Sequence, residues 1–169
     1  MTVIEKFLGQ RLEIPENLRY DVKQGLWARC VDQTIVFGLT QAALVLSGGV
    51  KDIDKLVEEN QTVRRGESVL FAITGKLLYL DAPVAGTVQF NRITLGNPSR
   101  VATDPYDQGW LFLIKPDGQL DQTYQTLSSS QDYLEKLRHS EGFKNPEGVT
   151  GGVSGICKAV YTGIGGQKI

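Results

Sequence analysis

The chain has 169 residues, enough for one domain with a real core and an appendage. Hydrophobic residues make up 41% and charged residues 22%, which is typical of a soluble globular protein. The formal net charge of -1 argues against a nucleic acid or an anionic membrane surface as the main partner. The sequence shows neither a signal peptide nor a stretch long enough to span a membrane, so we expect a cytoplasmic protein.

The first third of the chain predicts a helix, then a hairpin, then a second helix. Residues 1–19 are predicted to be an N-terminal helix, because their apolar residues follow the spacing of one helical face: Val3, Ile4, Phe7, Leu8 and Leu12. Residues 20–30 and 34–39 predict two strands joined by a turn. Thr40 is a suitable N-cap for a short helix over residues 41–46, and the glycines at 48 and 49 end it.

The central stretch, residues 66–90, predicts two short strands folded about a tight turn. Residues 68–73 and 77–80 are apolar and β-prone, and Thr74, Gly75 and Lys76 separate them. Gly75 can adopt the positive φ that a short hairpin turn needs. Lys76 is therefore expected at or beside the tip of the hairpin, where a covalent group can be attached.

The remaining segments predict a mainly β protein with helices at its edges. Residues 91–102 read as a loop, and residues 110–114 as a buried strand that places Trp110 in the core. A helix follows and ends at Gly142. We expect a small β sandwich or barrel over residues 20–116, a helical segment over 117–142, and a flexible glycine-rich tail over 143–169.

Three sets of residues together resemble the glycine cleavage system H protein and its relatives. The run from Gly38 to Ala43 is similar to that family's G-[IL]-T-x-x-A junction, and the run from Ala82 to Val88 to its APxxGxV segment. Asn97-Pro98, Asp104-Pro105-Tyr106 and Gly109-Trp110-Leu111 repeat its NP…DPYxxGWL run in order and spacing. The resemblance covers about residues 25 to 115 and implies a lipoyl-type barrel-sandwich hybrid.

The resemblance also implies a function. It indicates a non-catalytic carrier that holds lipoate covalently on Lys76 and moves an aminomethyl group, or sulfur, between enzymes. The implied partners are a lipoate ligase or lipoyl transferase, dihydrolipoyl dehydrogenase, and the group-transfer enzymes of a glycine-cleavage-like or sulfur-oxidation system. The alternative is an unmodified H-like interaction or scaffold protein. A biotinyl carrier is disfavoured because Lys76 lacks flanking methionines, the only methionine being Met1.

The spacing around Lys76 departs from the family pattern. The family's acceptor lysine follows E-S-V and lies eight residues before the proline of APxxG, whereas Lys76 lies seven residues before Pro83. With Pro83 held fixed, Gly75 falls on the acceptor position. Thr74-Gly75-Lys76 is instead similar to the S-G-K acceptor of H-like lipoate-binding proteins associated with sulfur oxidation. A one-residue deletion in the return strand reconciles the two, and it requires a shorter turn or a bulge.

Other candidate residues have simpler interpretations. The pairs Arg64-Arg65 and Glu58-Glu59 could dock partner enzymes, but such runs are more often a solvated face. His139, the single histidine, is expected at the surface. Cys157 could relay sulfur if its neighbour Lys158 lowers the thiol pKa, although an incidental cysteine is the simpler interpretation. No metal site is predicted, because the two cysteines stand far apart in no metal-like spacing.

Overall fold

The computed structural model of the chain describes residues 1–148. The strands in chain order are β1 (Thr2–Phe7), β2 (Gln10–Ile14), β3 (Arg19–Asp21), β4 (Leu26–Val31), β5 (Thr34–Leu39), β6 (Asp52–Lys55), β7 (Thr62–Val63), β8 (Ser68–Ile73), β9 (Leu77–Asp81), β10 (Gly86–Phe90) and β11 (Phe112–Pro116). The helices are α1 (Gln41–Ser47), α2 (Arg92–Gly96), α3 (Ser99–Thr103), α4 (Leu120–Gln125), α5 (Ser130–Arg138) and α6 (Glu141–Lys144). The mainly β class predicted from the sequence is confirmed.

Two antiparallel sheets pack together as a sandwich. The larger has six strands in the order β3-β4-β5-β11-β10-β7, and the smaller has three in the order β6-β8-β9. Neither sheet closes on itself, so the predicted barrel-sandwich fold takes the sandwich form. The main core contains buried side chains from both sheets, including Leu26, Ile35, Phe37, Ile53, Leu70, Ala72, Leu80, Phe112 and Ile114. Removal of this apolar surface from water is the main stabilising contribution.

A second core lies on the other face of the larger sheet. Trp27 points into it and is fully buried. The N-terminal hairpin β1–β2 and helix α5 cover this face, and the rings of Tyr20 and Tyr133 stack with their centroids 4.8 Å apart. Helix α1 contributes Ala42 and begins as predicted, because the Thr40 hydroxyl oxygen accepts a hydrogen bond from the Ala43 N–H at 3.1 Å.

The prediction of an N-terminal helix over residues 1–19 is wrong. This segment forms the hairpin β1–β2, closed by Leu8 and Gly9 with φ of 49° and 80°. The register shifts between Ile4 and Phe7, so both residues are buried although they are three positions apart. That bulge breaks the period of two and reproduces the spacing of a helical face, which is why the pattern was ambiguous.

Trp110 is not the core tryptophan that the sequence indicated. It is half-buried and precedes β11, which begins at Phe112. Trp27 takes the central position, and its indole N–H donates to the Pro105 carbonyl at 2.7 Å. The predicted strand over residues 20–30 is interrupted as well. It divides into β3 and β4 around a turn that ends at Gly25, whose φ is 73°.

Two segments predicted to be irregular have regular structure. The loop predicted over residues 91–102 contains α2 and α3, and the Asn91 side chain caps α2 by accepting from the Thr94 N–H. Gly142 does not end a helix. It lies inside α6, where an added Cβ would meet the Phe7 ring at 2.2 Å.

The beginning of the predicted flexible tail is packed on the N-terminal hairpin. The Gly9 N–H donates to the Pro146 carbonyl at 2.7 Å, and Lys6 pairs with Glu147 at 2.8 Å. Residues 143–148 therefore belong to the folded unit. The remainder of the predicted tail, residues 149–169 with Cys157, lies outside the described residues.

Candidate functional site

The hairpin predicted around Lys76 is formed by β8 and β9. Ile73 pairs with Leu77, so Thr74, Gly75 and Lys76 make a three-residue connection. Side chains alternate between the two faces of each strand, and those of Ala72 and Leu80 point into the core. The other face of the hairpin points to solvent. The strands therefore fix the position from which the Lys76 side chain departs.

Thr74 holds the turn in place. It is only 3% exposed, and its backbone N–H donates to the Lys76 carbonyl at 2.8 Å. Its hydroxyl donates to the same carbonyl at 3.1 Å and accepts from the Lys76 N–H at 3.3 Å. Gly75 does not take the positive φ expected of it, because these bonds to the threonine close the turn without that conformation.

A bulge in β8 adjusts the register of the hairpin. Ser68 pairs with Asp81 and Leu70 with Leu80, so β8 advances by two residues where β9 advances by one. Val69 is the additional residue, and it is fully buried. A bulge is one of the two adjustments that a return strand shortened by one residue requires. The hairpin thus accommodates the seven-residue spacing from Lys76 to Pro83 without reversing the faces of its side chains near the tip.

The Lys76 side chain is exposed at the tip. Within residues 1–148, no carboxylate lies within ion-pair distance of its ammonium group. A free ε-amine is the group that amide formation with a carboxylic acid requires. The residues present at the tip therefore fit a covalently attached acyl group.

The solvent face of the hairpin is unusually apolar. The exposed fractions of Ile73, Leu77 and Tyr79 are 40%, 50% and 54%. Ile73 stands directly opposite Leu77, and Phe71 directly opposite Tyr79, so the four side chains lie together beside Lys76. This patch was not predicted from the sequence. The sequence does contain a signal for it. In a strand with one buried face, the alternate residues that face solvent need not be apolar, but here Phe71, Ile73, Leu77 and Tyr79 all are.

A cleft of about 550 Å³ lies on the other side of β9. Its walls are mostly apolar and include Leu46, Leu78, Tyr133 and Leu137. Leu78 is two residues from Lys76 and faces away from the exposed patch. The hairpin therefore presents one face to the core and this cleft, and the other to solvent.

The remaining candidate residues do not gather at the hairpin tip. His139 is exposed, as predicted, and its Nε2 lies 3.2 Å from the Glu135 carboxylate one helical turn away. Cys30 is largely exposed near the end of β4. Partial desolvation by neighbouring residues, together with the Asp121 charge, raises the pKa of its thiol. Glu59 accepts from the Phe90 N–H at 3.1 Å, so it supports the backbone locally.

Residues 1–148 contain no group of three or more His, Cys, Asp or Glu side chains placed to hold a metal ion. Nor does any helix in this range combine the length and the apolar character needed to cross a membrane.

Comparison with known proteins identifies the family. The family model for the glycine cleavage H-protein matches residues 18–140. The glycine cleavage system H protein of Bifidobacterium longum is 33% identical over 129 residues, covering 75% of this chain and 90% of the relative. That of Thermus thermophilus is 33% identical over 130 residues, covering 75% and 97%. The crystal structure of an H protein from Mycobacterium marinum superposes with a TM-score of 0.61 at 26% identity, covering 73% and 98%.

These similarities define first a class of protein: a non-catalytic carrier built on a β sandwich. The chain belongs to the glycine cleavage H-protein family, which carries lipoate in glycine cleavage.

Proposed function

We propose that this chain is a lipoyl carrier whose acceptor is Lys76. The observation that carries the proposal is the setting of this lysine. It is exposed at the tip of a three-residue turn, and a buried threonine holds its backbone through three hydrogen bonds. A modifying enzyme must reach an ε-amine that protrudes, and an arm that visits several enzymes needs a fixed point of departure.

The register of the hairpin supports Lys76 over the neighbouring position. The alignment that holds Pro83 fixed assigns the acceptor to Gly75, which has no amine to acylate. The bulge at Val69 accounts for one residue of difference between the two strands. Because the bulge places the additional residue in β8, Lys76 lies at the tip. The side chains of Ile73 and Leu77 on either side of the turn still point to the same face of the hairpin.

The residues of the tip would hold the group as an amide on the Lys76 Nζ. When attached, a lipoyl group supplies a dithiolane that can accept a chemical group from one enzyme and release it to another. The chain itself supplies the position of the arm. Freedom from ion pairs does not by itself single out Lys76, because Lys6 is the only lysine among residues 1–148 that is ion-paired. Its place at the tip of the hairpin does.

The proposed partners follow from the family. A lipoate ligase or lipoyl transferase attaches the group, and dihydrolipoyl dehydrogenase reoxidises it. The cargo is the aminomethyl group of a glycine-cleavage system, and sulfur is the cargo to test against it. We place the protein in the cytoplasm. An unmodified scaffold would use the same surface without the arm.

Mass spectrometry of the intact protein tests the assignment. Co-expression with a lipoate ligase and free lipoate should add the mass of one lipoyl group. Lys76→Arg should abolish the addition because arginine offers no acylable amine. Lys115→Arg, an exposed lysine on β11, is the matched control and should leave the addition unchanged. An unmodified mass for protein from its native source would favour the scaffold. Labelling that survives Lys76→Arg would show that another residue is the acceptor and would overturn the assignment to Lys76.

A further inference from the structure

Strand β9 has an open edge beside Lys76. Among residues 1–148, it is the last strand of the smaller sheet and pairs with β8 on one side only. Thr74 and Lys76 form a hydrogen-bonded pair across the turn. Bonded and non-bonded pairs alternate along an antiparallel ladder, so Leu77 and Tyr79 occupy non-bonded positions. The backbone N–H and C=O groups of these two residues therefore point away from β8, towards the open side.

The fold closes this edge at one end only. Asp81 has the same orientation as Tyr79, and the Gln24 side chain pairs with it. The Asp81 N–H donates to Gln24 Oε1 at 2.7 Å, and the Gln24 amide donates to the Asp81 carbonyl at 3.0 Å. The glutamine thus takes the place of a neighbouring strand at Asp81. No such cover lies over Leu77 and Tyr79 in the part of the chain that the structure describes.

The side chains along the open edge favour an added strand. Leu77 is 50% and Tyr79 is 54% exposed, and the half-buried Phe71 and the exposed Ile73 continue the same apolar face. An unpaired edge with apolar side chains is a template for pairing with an extended segment of another chain. This surface begins one residue from Lys76, so a protein that acts on Lys76 must approach it.

The far side of the same face is acidic. Asp52 and Asp54 on β6 stand opposite Ile73 and Phe71, so their side chains share the outer face. Each carboxylate accepts a hydrogen bond from the backbone N–H of the next residue. Within residues 1–148, neither takes part in an ion pair. The face therefore complements a partner surface that is apolar near the lysine and basic further from it.

From these features we propose that the enzyme that acylates Lys76 docks by adding an extended segment to the β9 edge. The apolar side chains of this segment lie beside Leu77 and Tyr79, and basic side chains elsewhere on the enzyme face Asp52 and Asp54, which lie on β6 at the opposite edge of the sheet. The inference rests on the proposed lipoylation of Lys76, and it specifies how that modification is recognised.

A second copy of this chain fits the edge less well. Stable interfaces bury about 800 Å² on each partner. The open part of β9 offers the outward backbone groups of two residues, because Gln24 already covers the next position. Such an edge suits a transient complex, which a carrier needs because it must leave one enzyme to reach the next.

Lipoylation kinetics with purified lipoate ligase test the proposal. Tyr79→Pro removes one outward N–H, and proline is tolerated on the free side of an edge strand. It should raise KM and lower kcat/KM by about tenfold, the size of effect expected when a central interface contact is lost. Leu77→Thr keeps the strand propensity but removes apolar surface, and it should lower kcat/KM severalfold. Ile93→Thr, at a 65% exposed residue on α2, is the matched control and should leave the rate unchanged.

The outcomes separate the two proposals. If the wild-type chain accepts no lipoyl group, the proposed function fails and this inference fails with it. If the wild type is modified at Lys76 and both β9 variants, shown to be folded by thermal denaturation, are modified at the wild-type rate, the docking proposal alone is overturned. Sedimentation that shows a wild-type dimer, dissociated by Tyr79→Pro, would assign the edge to a second copy and would also overturn it.

Discussion

The larger sheet and the Lys76 hairpin differ in how tightly their residues are constrained. In the larger sheet, Trp27 lies over Gly38, where an added Cβ would meet the indole ring at 2.7 Å. The same indole donates to the Pro105 carbonyl, and the neighbouring Tyr106 hydroxyl donates to the Glu13 carbonyl at 2.7 Å. At the hairpin tip, an added Cβ on Gly75 would meet nothing within 4 Å.

This difference shows what the motifs of the sequence encode. The G-L-T, APxxG and DPYxxGW residues hold the scaffold together. Gly86, for example, cannot carry a Cβ because the Lys115 carbonyl oxygen would lie 2.1 Å from it. The hairpin has to satisfy fewer packing constraints, so its sequence can differ from the family pattern while the fold is kept. The motifs therefore identify the scaffold, and the acceptor has to be argued from the geometry of the tip.

The largest expected effect tests the constrained region. Trp27→Ala should destabilise the protein by about 3–5 kcal/mol, because it leaves a cavity in the second core and removes the bond to Pro105. Trp110→Ala should cost clearly less, since that side chain is only half-buried. Urea denaturation of both variants measures the two losses. An equal or larger loss for Trp110→Ala would contradict the placement of Trp27 at the centre of this core.

The two tryptophans also show where the sequence stopped being informative. Both stand in apolar segments and both contact the second core, and local pattern cannot say which one is fully buried. The choice depends on Gly38, which pairs with Trp27 across β4 and β5 and leaves room for its ring. That pairing joins two different strands and cannot be read from the local sequence of either one.

The short helix after Thr40 was predictable, because its N-cap and the left-handed Gly48 that ends it are local signals.

The second prediction concerns the tyrosines of the constrained region at alkaline pH. Burial raises the pKa of Tyr133 to about 12 from 10.0, partly offset by its hydrogen bond with Thr40. Burial also raises the pKa of Tyr20 and of Tyr106. In the unfolded chain these hydroxyls ionise first, so their contribution to stability is complete below pH 10 and is lost as the pH rises towards the folded pKa.

Unfolding free energies at pH 8 and pH 11 measure this loss. Since pH 11 lies about one unit above the unfolded pKa, the share of Tyr133 should be on the order of 1 kcal/mol. Tyr133→Phe should be less stable than the wild type at pH 8, because it lacks the hydrogen bond with Thr40. Its unfolding free energy should, however, fall less than that of the wild type between pH 8 and pH 11. A Tyr133→Phe variant with the wild-type pH dependence would contradict the burial of this hydroxyl.

The candidate site was predictable in part. The two strands and the lysine between them follow from local apolar pattern and a short polar interruption. The seven-residue spacing from Lys76 to Pro83 also indicated a shorter turn or a bulge. The position of the bulge at Val69 does not follow from the sequence, because nothing in the run from Ser68 to Ile73 marks one residue as unpaired. The role of Thr74 was also missed. A threonine in a turn is ordinary, and only its burial beneath the tip makes it a support for Lys76.

The smallest expected effect distinguishes the hairpin tip from an equivalent turn in the larger sheet. Thr74→Val removes a hydroxyl that bonds the Lys76 carbonyl and N–H, and it should cost about 1 kcal/mol. Thr34→Val removes a similar bond across the β4–β5 turn, where the hydroxyl donates to the Val31 carbonyl at 2.7 Å. Both should lower the unfolding free energy to a similar extent. Only Thr74→Val should slow lipoylation, because only it loosens the backbone from which the acceptor departs. If the two variants were lipoylated equally fast, the hydroxyl of Thr74 would be a structural contact with no part in presenting the lysine.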